Sequence, residues 1–112
     1  MAKRILITTD KIGRDNGELG AKLMKNFLYT VARNDRAPKS VTFWNEGVRL
    51  ACEGSESLDD LRMLVDRGVI VKACGTCLEF LGLADRLAVG IIGTMPECVP
   101  ILLSDEDILT IA

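Results

Sequence analysis

The chain has 112 residues, 48% of them apolar, and a formal charge of −2. That length suits a single domain over residues 1–112, able to bury about two-thirds of its unfolded surface. The nearly balanced, slightly acidic charge argues against a broad polyphosphate-binding face, so no nucleic-acid partner is expected. No apolar run reaches the roughly 18 residues needed to cross a bilayer, and no signal-peptide core follows Met1 to Arg4, so a cytoplasmic protein without membrane association is expected.

The predicted elements alternate. Arg4 to Thr9 reads as a short buried strand, stopped by Asp10 and the polar loop Lys11 to Gly17. Leu19, Leu23, Phe27 and Val31 recur at spacings of four, which predicts an amphipathic helix over Glu18 to Ala32 capped by Asp15 or Asn16. Ser40 to Trp44, β-branched and aromatic, makes a second strand at crossover distance from the first. A short helical turn over Val48 to Cys52 and a helix over Ser57 to Arg67 follow, the latter closed by Gly68. Val69 to Ala73 is apolar apart from Lys72, as expected of a strand covered on both faces. A third helix is predicted over Cys77 to Leu81, a fourth strand over Ala88 to Ile92 and a fifth over Ile108 to Ile111. Between the last two strands Gly93 to Pro96 opens a helix that Pro100 should keep short or bent. The regular alternation implies an α/β fold with a parallel sheet. The loops Asp10 to Asn16, Trp44 to Gly47, Cys74 to Cys77 and Gly93 to Pro96 should then meet at the carboxyl rim, where such sheets bind ligands.

Chemistry points to Cys74-Gly75-Thr76-Cys77, two thiols three apart where a strand hands over to a helix. Backbone N–H groups at a helix start favour thiolate over thiol. The four cysteines are read as reduced, because an apolar core of this size needs no disulfides. The chain has no histidine, which weakens a zinc reading and removes the Cys-His pair as a mechanism. No metal and no cofactor are expected. Lone Cys52 and Cys98, among apolar neighbours, read as small buried hydrophobes, and Met24, Met63 and Met95 as core or interface filler. Gly75 would let the backbone approach the sulfur, Thr76 would donate a hydrogen bond or cap the helix, and Lys72 or Arg14 would add positive charge. Asn45 with Gly47 either lines the site or forms a β-turn.

Several strings together carry a resemblance: Glu18-Leu19-Gly20, Asn45 with Gly47-Val48, Glu53-Gly54-Ser55, Cys74-Gly75-Thr76-Cys77-Leu78, Gly82-Leu83 and Leu87-Ala88-Val89-Gly90. Over nearly its whole length the chain resembles the DsrE/DsrF-like family, and within it the C-terminal domain of YedF selenium-metabolism proteins. The resemblance implies a three-layer α/β/α domain (DsrEFH-like) with a five-stranded parallel sheet, a sulfurtransferase-like activity and assembly into homotrimers or hexamers. It also implies that Cys74 carries sulfane sulfur or selenium as a persulfide and relays it to a partner thiol; Cys77 has no counterpart in many such relays, and resolving a persulfide or forming a reversible disulfide are the roles open to it. Gly75, Thr76, Asp10, Asn45 and Met95 would form the rim of the site. YedF proteins usually carry an N-terminal TusA-like module, so a separate TusA-like sulfur carrier is an expected partner. Two other readings stand beside this one: a non-catalytic binding or regulatory subunit of the same fold, and a C-x-x-C dithiol redox protein.

Overall fold

A computed structural model describes residues 2–112. Five strands, β1 (Arg4–Ile7), β2 (Ser40–Phe43), β3 (Ile70–Cys74), β4 (Ile91–Gly93) and β5 (Ile108–Ile111), form one sheet in the order β4-β3-β2-β1-β5. Every neighbouring pair is parallel. Among the described residues four α-helices connect them: α1 (Gly17–Arg33), α2 (Leu58–Asp66), α3 (Gly75–Phe80) and α4 (Met95–Leu102), with a 3₁₀ helix at Asn45–Ala51. No helix among the described residues is long and apolar enough to cross a membrane.

The strand order sets the layers. From β1 to β4 each crossover steps the same way, and right-handed connections then place α1, α2 and α3 on one face of the sheet. The β4 to β5 connection runs back across the whole sheet, so α4 falls on the opposite face. Alternation along the strands matches this division. Ile5, Ile7, Val41, Phe43, Val71 and Ala73 enter the core beneath α1 and α2, together with Met24, Leu28, Leu61 and Leu64. Arg4, Ser40, Thr42 and Lys72, one pleat off, turn toward α4. The expected three-layer α/β/α arrangement with a five-stranded parallel sheet holds; among the described residues one eight-residue helix covers the second face, and the strands carry polar side chains there.

Several local expectations also shift. In α1 the buried stripe is Gly20, Met24, Leu28 and Ala32, one position on from the expected one, while Leu19 and Leu23 are exposed. Gly20 sets this phase, because a Cβ there would lie 2.7 Å from the carbonyl oxygen of Ile12. Asn16 is the cap, its side chain accepting from the Leu19 N–H at 3.0 Å. β4 starts later than expected because Ala88 and Val89 give their N–H groups to Ala51, and Gly90 turns the chain with φ +83°. α4 is short, holding Pro96 in its first turn and Pro100 inside it.

Candidate functional site

β3 delivers the first thiol to the rim. Its alternation turns Ile70, Lys72 and Cys74 toward α4, and Cys74 pairs across the sheet with Gly93 at the end of β4. With extended φ and ψ of −62° and 122°, Cys74 is both the last residue of β3 and the N-cap of α3. The helix therefore begins at Gly75, two residues before the expected start, and Thr76 is exposed and is not the cap. Gly75 packs tightly, since a Cβ there would meet Ile92 Cγ2 at 3.0 Å.

Three residues along, Cys77 lies on the same side of the first turn of α3. Its sulfur accepts a hydrogen bond from the backbone N–H of Asn45 at 3.1 Å. Asn45 holds that N–H in place from a left-handed conformation, φ +53°, which asparagine tolerates better than most residues. The turn is fastened to the sheet next to it: Trp44 donates its N–H to the Ile7 carbonyl at 2.9 Å, and a Cβ at Gly47 would lie 2.5 Å from that same oxygen. Asn45 is thereby in contact with the site, and Gly47 is required by close approach. Burial pushes the Cys77 thiol up, the neighbouring Cys74 adds to this, and the Asn45 N–H works against both. The thiol form of Cys77 is favoured in consequence.

On its other side Cys74 opens into a cavity of about 170 Å³ between the sheet and α4, which it lines together with Lys72, Thr42, Trp44, Met95 and Cys98. Cys98, whose apolar sequence context implies packing, is carried by α4 into the space that Cys74 lines. Burial raises the Cys98 thiol, Lys72 lowers it, and Cys74 raises it further. A cysteine four residues after a helix cap at the end of a sheet strand was the signal that could have found it.

No protein-family model and no curated protein matches the chain. Solved structures do. The YchN protein of E. coli superposes with a TM-score of 0.70 at 20% identity, over 98% of this chain and 99% of that one. A protein of unknown function from Methanobacterium thermoautotrophicum, MTH1491, gives 0.64 at 20% identity over 96% and 98%. Another from Bacteroides thetaiotaomicron, BT1422, gives 0.65 at 16% identity over 97% and 95%. The chain has the DsrE-like fold.

The parallel DsrE-like sheet sends the carboxyl ends of β1 to β4 to one rim, and the named residues distribute along it. Asn45 and Gly75 are in place around the thiols, and Met95, 47% exposed, lines the cavity from the first position of α4. Asp10 follows β1 on the same rim but pairs with Lys11 at 3.2 Å and bears on Arg49. Arg14 lies exposed in the loop before α1. Cys52 is buried and donates its S–H to the Val48 carbonyl at 3.2 Å, a packing role as its sequence context implied. Lys72 reaches the cavity, where its ammonium meets Glu97 at 3.7 Å.

Proposed function

We propose that the protein is a sulfurtransferase-like carrier that holds sulfane sulfur, or selenium, as a persulfide on Cys74 and relays it to a partner thiol. The observation that carries this is the asymmetry of the two cysteines. Cys74 ends a sheet strand and lines a cavity, whereas Cys77 sits in the first turn of α3, its thiol form favoured by burial while its sulfur accepts from the Asn45 N–H. A donor persulfide R–S–SH would react with the Cys74 thiol to give R–SH and Cys74–S–SH, breaking the donor S–S bond and forming a new one. An acceptor thiolate then takes the terminal sulfur by the reverse exchange. The Cys77 S–H, three residues along the same turn of α3, would stabilise negative charge on the Cys74 sulfur if it turned toward it in either step.

The likeness of the chain to the C-terminal domain of YedF proteins supports the same chemistry, with a TusA-like carrier as donor or acceptor and a cytoplasmic setting that keeps thiols reduced. A homo-oligomer, trimer or hexamer, is supported by apolar side chains left open, Phe80 at 88% and Leu103 at 82% exposure. Incubation with a persulfide donor should add one sulfur to wild type and to Cys77→Ser but not to Cys74→Ser, by intact mass. Loading of neither cysteine refutes the proposal. The placement of the two thiols three residues apart, at the cap and first turn of α3, favours one second reading, a dithiol redox protein. That reading requires a Cys74–Cys77 disulfide that turns over with a small reductant.

A further inference from the structure

The cavity beside Cys74 has a composition that the transfer of sulfur between proteins does not require. Leu6, Thr42, Lys72 and Ile91 form one rung across four strands. Of these, Leu6, Thr42 and Lys72 line the cavity, and Ile101 and Ile108 continue its apolar wall. Lys72 is set into the wall, its side chain 23% exposed and its stem packed against Gly93, where a Cβ would lie 3.3 Å from Lys72 Cδ. Its ammonium meets Glu97 at 3.7 Å, outside hydrogen-bond distance, and the Glu97 carboxylate, 54% exposed at the cavity edge, accepts instead from the Thr94 hydroxyl at 2.9 Å. An ammonium whose N–H groups have no hydrogen-bond acceptor among the described residues, beside a hydroxyl and a thiol in a largely apolar cavity, suits a ligand with an apolar body and a compact anionic head. The volume of about 170 Å³ sets its size, since apolar cavities of about 150 Å³ hold a benzene ring.

We propose that this cavity binds a small organic thiosulfonate, its sulfonyl oxygens on Lys72 and Thr42, its apolar group against Leu6, Ile101 and Ile108, and its outer sulfur at Cys74. The binding half stands on the cavity alone, and the transfer half rests on Cys74 as the sulfur carrier. In the transfer, R–SO₂–S⁻ and the Cys74 thiol give R–SO₂⁻ and Cys74–S–SH. The Cys74 sulfur bonds to the outer sulfur, the sulfonyl–sulfur bond breaks, and its electron pair leaves on the sulfinate. The thiol proton ends on the persulfide, and no outside oxidant is needed. Lys72 is the specificity-determining residue, holding the sulfonyl group before and after the bond breaks.

Benzenesulfinate, the product that cannot transfer sulfur, separates the two halves. Titrated into the full chain and followed by ligand-observed NMR, it should saturate with a Kd of about 1 mM. Lys72→Met should weaken this at least about tenfold, while Lys72→Arg stays within about threefold of wild type. Thr42→Val, expected to weaken binding in the same direction, serves if Lys72→Met fails to give a native circular-dichroism spectrum. No saturation by about 10 mM, or an unchanged Kd in the folded Lys72→Met or Thr42→Val protein, overturns the cavity assignment. Benzenethiosulfonate then tests transfer, expected to add about 32 Da at Cys74, one sulfur atom. Lys72-dependent sulfinate binding without that added mass refutes transfer to Cys74 and leaves the binding site standing.

Discussion

Asp60 gives the sharpest stability prediction. It is 1% exposed on α2 and receives hydrogen bonds from Lys25 Nζ at 2.6 Å and Arg33 Nη1 at 2.9 Å, both on α1. Burial works against its charge, yet the two cationic donors hold its carboxyl below the usual range. Hydrogen bonds to charged groups contribute about 1.5–3 kcal/mol each, and breaking a fully buried ion pair costs about 3–5 kcal/mol. Two features reduce that cost for Asp60→Asn. The side chains of Lys25 and Arg33 are 35% and 37% exposed, so water takes them up when released, and asparagine keeps one acceptor. The expected loss is about 2 kcal/mol in urea unfolding at pH 7. The pH dependence has a definite sign. Because the folded pKa is depressed, the contribution is complete above the unfolded carboxylate value near 3.9 and is lost as pH falls through the lower folded value. The gap between wild type and Asp60→Asn should therefore close below about pH 4. A difference under about 0.5 kcal/mol at pH 7, or a gap that persists undiminished below pH 3, would refute the reasoning.

Other outcomes follow from the core and the rim. Gly47→Ala forces a Cβ to 2.5 Å from the Ile7 carbonyl oxygen and should cost about 1–3 kcal/mol, measurable by urea unfolding, while weakening the Asn45 to Cys77 hydrogen bond. An unchanged midpoint would contradict that contact. Phe43→Ala, at a fully buried position, should cost about 3–5 kcal/mol in the same assay. Cys52, Cys77 and Cys98 all have raised thiol pKa values, burial being the largest cause. Their alkylation by iodoacetamide, followed by peptide mass, should accelerate only above the ordinary thiol value of about 8.5. Rapid modification of Cys52 at pH 7 would contradict its burial.

Much of the fold was legible because apolar runs and their breakers stand apart in this chain. β5 lies at Ile108–Ile111 as the sequence implies, and β2 begins at Ser40. What escaped depended on tertiary contact. The phase of α1 is set by the approach of Gly20 to Ile12, which no spacing of leucines reveals. Ala88 and Val89 look like strand but are held by Ala51, so β4 waits until Ile91. At the site, the strand-to-helix position of Cys74 was readable from Cys74-Gly75 itself, whereas the Asn45 to Cys77 hydrogen bond joins residues 32 apart in sequence. Polar residues inside otherwise apolar strands, Thr42 and Lys72 above all, were the sign of a thinly covered second face. Once the strand order puts α4 alone on that face, the same residues become a cavity wall and bring Cys98 into view.

The central claim is that Cys74 and Cys77 differ in role. Intact-mass analysis after exposure to a persulfide donor measures this directly on wild type, Cys74→Ser and Cys77→Ser. One sulfur added to wild type and to Cys77→Ser, and none to Cys74→Ser, is the predicted result. Sulfur loaded on Cys74→Ser but lost in Cys77→Ser would contradict it.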